Sequence, residues 1–571
     1  MASLPRNPAV AEQFELLADL LELEGAESFR VLAYRRAAQR MRESAGSIAE
    51  LALAGRAKEI AGIGQVIEEK IVQIIQEGRI KALAEREARI PAEVVQFMRL
   101  PGLGPKSAAK IWQELGITTL EQLHEAASTE RLRALPGFGA RTEERVRKAL
   151  ASERPVEDPR PLLGQGLPAV IAVVAELREL PGVDLVSEAG SVRRRKETFR
   201  DLDIIATAAD PSALTEHFTK LDAVAEVAAR GPTKATVVSN DGLRFDLRVV
   251  PPESYGNLLQ HFTGSKDHNV ALREQAVKQG FSVSEYGVQD TNAGTLFQTR
   301  SEEELYAHLG YEFIPPELRE NAGELEAARV GELPKLVEIS DLRGDLHSHT
   351  TWSADGRNSL EEMAHAAKAR GYQYLAVTDH SHYLREGRME AQRAEIDRLN
   401  EQIAPFRVLR GVEVNIRANG ELDVADDDLA GCDWVVASLH TAFDRNPTER
   451  VLGVMENPHV DCIGHLTGRK INRRPPADIS VERVIEKALE TGTFLEINSQ
   501  PDRLDLRDAH ARAAGEAGVK IAVSSDAHRI KALGYAEFGI AQARRAWLTK
   551  DQVLNTRTWR QIERMLKSPR R

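Results

Sequence analysis

GSVRRRKETFRDLD, residues 190–203, sets a small-residue turn at Gly190 and Ser191 ahead of a basic run from Arg193 to Lys196. Two aspartates follow, Asp201 and Asp203, entering the apolar run Ile204-Ile205-Ala206. In a strand, side chains two apart share a face. Asp201 and Asp203 therefore point one way, with Leu202 and Ile204 packed behind. Two carboxylates that close repel unless a cation lies between them, so a divalent metal is the natural third party. The small and basic residues upstream suit the phosphates of a nucleotide. An aspartate pair alone is more often a surface or turn feature. The basic turn at fixed spacing ahead of it argues for a site.

Downstream, LRFDLRVV (residues 243–250) alternates, with Arg244, Asp246 and Arg248 on one face and Phe245, Leu247 and Val249 on the other. Asp246 is an acid inside a strand, where β-propensity disfavours it. That is the place for a third metal ligand. Three carboxylates on adjacent strands are what two-metal phosphoryl transfer requires, with Asp201, Asp203 and Asp246 as its catalytic set. On the N-terminal side, Pro155, Pro159, Pro161 and Gly164-Gln-Gly166 read as a linker, followed by a helix over 169–180 and a strand over 184–188.

The first 150 residues carry helical patterns over 9–23 and 28–41 and then a turn repeated three times. Gly62 and Gly64, Gly102 and Gly104, and Gly137 and Gly139 each flank an apolar residue (Ile63, Leu103, Phe138) and each precede an amphipathic helix. The glycine pairs permit a tight turn, the apolar residue anchors it, and the next helix offers free N–H groups and its positive dipole end to a phosphate. This is the helix-hairpin-helix motif of sequence-independent DNA binders, and it predicts salt-dependent backbone contact without base reading. Lys70, on the helix after the first turn, reads as a phosphate contact or a solvated residue, with a Schiff-base nucleophile for an abasic sugar as the sharper alternative.

Length and charge fit this division. At 571 residues the chain is several domains, with 42% hydrophobic and 29% charged residues. No apolar run is long enough to cross a bilayer, and the N-terminus lacks a signal-peptide layout, so a cytoplasmic protein without membrane contact is expected. Two cysteines, Cys432 and Cys462, make no disulfide framework and fit a reducing compartment as buried apolar residues. Net charge is -11, yet residues 1–150 hold 22 Lys+Arg against 21 Asp+Glu. The negative excess thus falls beyond residue 150, where metal-binding carboxylates would account for part of it.

Ten of the 15 histidines follow Asp341. Seven apolar runs separated by helical segments are found there, and six lead into a potential ligand: His347 and His349, His380, Glu413, His440, His465, then Asp526 and His528. Asp355 lies in the loop after the first run. Polar residues gathered at strand C-termini in a βα-repeat are the layout of a barrel with its site on that face. Nine such ligands exceed the four of a single Zn²⁺ and suit up to three Mn²⁺ or Zn²⁺ ions.

With these motifs in place, residues 1–320 resemble a family X DNA polymerase. The resemblance implies a helical lyase-like DNA-binding domain over 1–85, helix-hairpin-helix fingers over 86–155, a nucleotidyltransferase palm over 156–250 and a thumb over 251–320. It makes Asp201, Asp203 and Asp246 ligands of two Mg²⁺ or Mn²⁺ ions. It places Ser191 and Arg194 on the triphosphate, the HFTGS turn with His261 and Phe262 beside the sugar, and Asn269 and Arg273 at the base and template strand. Arg200 stands where animal members have Gly, His261 where they have Tyr, and Val66 at one of two lysine positions. After a linker over 321–340, residues 341–571 resemble a PHP (polymerase and histidinol phosphatase) domain, a distorted seven-stranded βα barrel, through DLHSHT, TDHS, GVEVNI, SLHT, GHLTGR and SSDAH. The implied chemistry is metal-dependent phosphoester hydrolysis at DNA 3′-ends, with 3′-phosphatase and abasic-site endonuclease chemistry open to the same centre. The whole is then a multidomain α+β and α/β repair polymerase acting on gapped or nicked DNA with deoxynucleoside triphosphates, and repair ligases or nucleases are logical partners. The alternatives are a DNA-end-binding scaffold with phosphatase-like chemistry only, and a nucleotidyltransferase with a non-DNA acceptor.

Overall fold

The computed structural model describes residues 4–568 apart from 45, 61, 99, 101, 102, 137 and 152–159. Gly102 and Gly137 and the linker prolines Pro155 and Pro159 lie outside the described residues. The chain forms two compact units, residues 1–159 and 160–571.

The first unit is helical. One apolar core runs from Val10 and Phe14 through Ile63, Ile71 and Leu103 to Phe138 and Val146. The helix Lys81–Glu87 crosses the expected boundary at 85/86, and the core is continuous across it. The two halves are therefore one packing unit. Ile63, Leu103 and Phe138 are buried, and in each turn their N–H donates to the carbonyl three residues back (Ile60, Leu100, Leu135) at 3.0 Å. Three turns thus share one hydrogen-bond geometry. Gly64 and Gly104 cap the helices Gln65–Glu77 and Pro105–Leu115, and Gly139 precedes Ala140–Ala151.

The second unit opens on the helix Leu163–Arg178, which starts six residues before the sequence suggests and carries Pro168 inside it. Gly164 and Gly166 belong to this helix rather than to a linker. A Cβ on Gly164 would stand 2.4 Å from the Pro501 side chain and one on Gly166 2.2 Å from Phe199, so these glycines serve close packing. The palm sheet holds β1 (Val183–Glu188), β2 (Asp201–Ala208), β3 (Val224–Arg230), β4 (Lys234–Ser239) and β5 (Arg244–Val249) in the order β1-β2-β5-β4-β3. Strands β2 and β5 are parallel neighbours; the other pairs are antiparallel. The buried faces of β2 and β5, with Leu202, Ile204, Phe245 and Leu247, share a core with Leu504 and Phe538 from far downstream.

The thumb has a three-stranded sheet, β6 (Phe281–Ser284), β7 (Gly287–Asp290) and β8 (Leu296–Phe297), against helices Lys266–Lys278 and Glu302–His308. The stretch 321–340 is not an open linker. It contains the helix Glu324–Val330, whose Leu325 and Ala328 enter the thumb core beside Leu272 and Tyr306. Its charged surface residues hid that apolar face.

Seven parallel strands then run in sequence order: β9 (Gly344–Asp345), β10 (Tyr374–Val377), β11 (Arg407–Asn415), β12 (Trp434–Ser438), β13 (Cys462–Gly464), β14 (Phe494–Asn498) and β15 (Ile521–Ser524). The parallel bridge Ser348↔Ala527 and the bond from His349 N–H to Ala527 C=O, 2.8 Å, bring the two edges together just past the strand ends. The result is a nearly closed barrel, as expected. No helix among the described residues is long and apolar enough to cross a membrane.

Two candidate metal centres

The palm centre follows from register. Asp203 pairs with Asp246 across β2 and β5, and Asp201 with Arg244. All three carboxylates share the open face of the sheet. Burial, then the charges of Asp246 and Asp201, push the Asp203 carboxyl up to about 7. Burial and Asp246 also raise Asp201. Burial and mutual repulsion both disfavour the charged carboxylates, a state that a divalent cation would relieve. Thr236 Oγ1 donates to Asp246, and the Arg244 guanidinium lies 3.2 Å from Asp201 and 3.4 Å from Asp246.

The predicted small-residue turn is a single helical turn, Gly190–Arg193. Gly190 has φ +63, and a Cβ there would lie 2.2 Å from Asp203 Oδ2. Ser191 is half-buried beside it. The basic run is fully engaged. Arg193 pairs with Glu302 at 2.6 Å, Arg194 with Glu320 at 3.1 Å, Arg195 with Glu188 at 3.3 Å, and Lys196 lies 3.9 Å from Glu320. Arg194 also donates to Thr263 C=O. The cluster thus joins palm to thumb in this structure, a use that local sequence does not show.

Four thumb candidates form one network. Arg273 lies 2.9 Å from His261 Nδ1, and Asn269 Nδ2 donates to His261 C=O at 2.8 Å. Gln260 donates to Asn269 at 2.8 Å. Phe262 packs edge-on to His261 and under the Arg248 guanidinium, 4.3 Å from its ring. Burial lowers the His261 pKa, favouring the neutral ring. In the first unit, Lys70 is half-buried on Gln65–Glu77, while Gly62, Gly64, Gly104 and Gly139 are exposed, and a Cβ on Gly64, Gly104 or Gly139 would meet nothing within 4 Å. The three capping glycines are open to a ligand.

The barrel centre gathers all nine sequence-selected side chains at the strand C-termini. Glu413 sits within β11 at its middle: His380 Nδ1 lies 2.7 Å from it, His465 Nε2 3.1 Å and His440 Nε2 3.3 Å. His349 Nε2 lies 3.2 Å from Asp526. Asp355, from the exposed loop, reaches His380 and His528 at 3.2 Å each. Donor atoms cluster in three groups: His349, His380 and His528; His347, His349 and Asp526; and His380, Glu413 and His440. His347 Nε2, both ring nitrogens of His349, His380 Nδ1 and Glu413 Oε2 are buried close to one another or to Asp526, yet none is aligned as a hydrogen bond. Buried polar atoms left without aligned partners are costly unless a cation faces them, so the donor set fits divalent metals.

Electrostatics agrees. Burial opposes charge on His347, but Glu496, Asp526 and Glu413 push its pKa well above the ordinary value. Burial holds His349 down at about 3, an imidazole ready to ligate as the neutral ring. Burial works against Glu413 as well, but His440, His347 and His380 keep it ionised.

Sequence reading missed the residues that orient these ligands. Glu496, in the one strand expected to lead to no ligand, accepts from His465 N–H and lies 2.7 Å from His347 Nδ1. Asn415 lies 2.6 Å from His440 Nδ1, and Asn498 donates to Asp526 at 2.9 Å. Asp345 accepts from the N–H groups of His347 and Ser525. Glu496 had a signal: an acid inside FLEIN, as in the case of Asp246.

A nucleotidyl-transfer palm with its thumb, carried in one chain with a metal-type phosphoesterase barrel, defines a two-site enzyme of nucleic-acid chemistry. Matches to known families agree: the helix-hairpin-helix domain over 5–80, the SAM-like helix-hairpin-helix tandem over 95–152, the DNA polymerase beta thumb over 258–320 and the PHP domain over 345–500. A Bacillus subtilis (strain 168) protein named DNA polymerase/3'-5' exonuclease PolX is 38% identical over 566 residues, 97% of this chain and 98% of its own. A probable phosphatase of Thermoanaerobacter sp. (strain X514) is 34% identical over 226 residues, 37% of this chain and 89% of its own. One from Vibrio parahaemolyticus is 28% identical over 251 residues, 40% of this chain and 94% of its own. The chain belongs to the bacterial family X DNA polymerases that carry a PHP domain.

Proposed function

We propose that this family X polymerase fills short gaps during DNA repair and trims 3′-ends with its barrel. Polymerase and 3′–5′ exonuclease activity come with the family. The observation that carries the assignment of residues is the coexistence of two separate carboxylate- and imidazole-lined centres, each with groups whose charge state calls for a cation. In the palm, Asp201, Asp203 and Asp246, the last fixed by Thr236, would hold two Mg²⁺ or Mn²⁺ ions. Bound there, the ions supply Lewis acidity and neutralise charge on the transferred phosphoryl group. Ser191 and Arg194 take the triphosphate, which requires Arg194 to exchange Glu320 for phosphate. His261 and Phe262 wall the sugar, and Asn269 and Arg273 reach the base and template.

In the barrel, the nine candidate ligands would hold up to three Mn²⁺ or Zn²⁺ ions. Glu496 and Asn415 fix the orientation of His347 and His440, and Asp345 that of the closing loop. The exposed hairpin turns bind the duplex backbone of gapped or nicked DNA. Primer extension and 3′-end degradation on gapped DNA test the assignment together. Asp203→Ala removes extension and leaves degradation; His347→Ala does the reverse. Extension unchanged in Asp203→Ala, or degradation unchanged in His347→Ala, refutes the corresponding half. Loss of the 3′-5′ activity alone in a protein that never extends a primer would favour an end-binding scaffold.

A further inference from the structure

Between the two centres runs a line of cations that neither uses. Residues 160–163 pair antiparallel with 197–200: Leu162 bridges Thr198, and Leu163 N–H donates to Glu197 C=O. That register sets Arg160 opposite Arg200, the residue next to Asp201. Arg160 C=O accepts from Asn472 Nδ2 at 2.8 Å, where the barrel touches the palm. Asn472 is the tip of a tight turn closed by Lys470 and Arg474, and Arg473 stands exposed beside it. From that turn Ile471 N–H donates to Asp502 C=O and Lys470 pairs with the Asp502 carboxylate at 2.8 Å. Arg503 comes next. Its turn is anchored by Gln500, whose side chain donates to Asp526 C=O at 2.6 Å, at the barrel centre. Backbone and side-chain contacts thus link the neighbourhood of Asp201 to that of Asp526 in an unbroken series.

Among the described residues, Arg160, Arg200, Arg473 and Arg503 have no ion pair and no side-chain hydrogen bond. Arg469, in the same loop, is by contrast buried against Glu197 at 2.7 Å and fixes the two domains together. Burial and Arg200 lower the Arg160 pKa, and burial with Arg503 lowers those of Lys470 and Arg474. Lys470 is held by Asp502, but the four arginines set along the strip without an ion pair of their own favour an anion beside them. Guanidinium groups match phosphate geometry. The strip has cations in series and starts and ends at centres that act on a strand's 3′-end.

Resting on the polymerase and nuclease reading above, we propose that this strip, Arg160, Arg200, Arg473, Lys470 and Arg503, carries the phosphodiester backbone of an unpaired 3′-terminal strand from the palm to the barrel. It lets one bound enzyme trim a mismatched end and then extend it. Backbone contact of this kind is indifferent to sequence.

The test uses the full chain with Arg160→Glu and Arg473→Glu combined, neither residue belonging to either centre. A primer with a 3′-mismatch is bound, then nucleotides and an excess of unlabelled trap DNA are added together. The wild type trims and extends within that single encounter, and the variant gives at least tenfold less trimmed-and-extended product. Extension of a matched primer and hydrolysis of a trinucleotide too short to span the strip stay unchanged. The salt slope of log K for a single-stranded oligonucleotide becomes shallower by about 1.4, roughly 0.7 for each lost contact, and the Arg160→Lys, Arg473→Lys protein restores it. Trap-resistant product equal to wild type, an unchanged slope, or a wild type that makes no such product overturns the proposal. Failure of matched extension or trinucleotide hydrolysis in the wild type instead strikes the underlying assignment of the two centres.

Discussion

Gly190 shows how closely a single backbone position controls the palm. Its φ of +63 and the 2.2 Å gap that a Cβ would leave to Asp203 Oδ2 mean that Gly190→Ala must displace the carboxylate. Primer extension is expected to fall about 100-fold or more, in line with the cost of misplacing a reacting group by roughly 1 Å, while 3′-end degradation is untouched. In the barrel, Glu496→Gln removes the carboxylate that faces His347 and receives His465 N–H. Apparent Mn²⁺ affinity, measured by titrating metal-stripped protein in a calorimeter, should drop about 10–100-fold. At this scale the sequence showed the candidate ligands that the barrel brings together but not their supports. Asp203, Asp246 and the histidines announce themselves by alternation and by following apolar runs. Asn415, Asn498 and Asp345 look like any polar residue until the strands are laid side by side.

Among the elements, the barrel strands and the hairpin turns were legible because their signals are local: an apolar run ending in a ligand, a glycine pair around a buried Ile63, Leu103 or Phe138. The start of the helix Leu163–Arg178 and the packed helix Glu324–Val330 were not, because both depend on partners far away in the chain, Pro501 and Phe199 for one and the thumb core for the other. The same holds for the ion pairs that join palm to thumb. Burial works against the Glu302 carboxylate, yet Arg319 and Arg193 hold it at about 2, below the ordinary 4.5. Arg545, Lys196 and Arg194 likewise outweigh burial and hold Glu320 at about 2. A carboxylate with a depressed folded-state pKa contributes stability that is complete above the unfolded value and is lost as pH falls through the folded one. Thermal melting should therefore weaken steadily from about pH 4.5 toward pH 2. Glu302→Gln should start lower and show a flatter decline. An equal slope in that variant would contradict the coupling.

For the whole molecule, six sequence-level segments resolve into two packing units, and the larger one binds palm, thumb and barrel together. Arg545, from the barrel's last long helix, reaches Arg194 C=O, Glu320 and Asp508. Phe538, on that helix, belongs to the palm core. Phe538→Ala should cost about 3–5 kcal/mol, and scanning calorimetry should show the palm and barrel melting in one lowered transition, with the transition of residues 1–159 unmoved. This shared core also bears on how the protein is made. The palm sheet is finished at Val249, but Phe538 leaves the ribosome about 290 residues later, a delay of roughly 15–60 s at about 5–20 residues per second. Throughout that interval the nascent palm exposes apolar side chains that only the end of the chain can cover. Fragments cut before residue 538 are therefore expected to pellet where the full chain stays in solution, which expression and sedimentation of such a fragment would check.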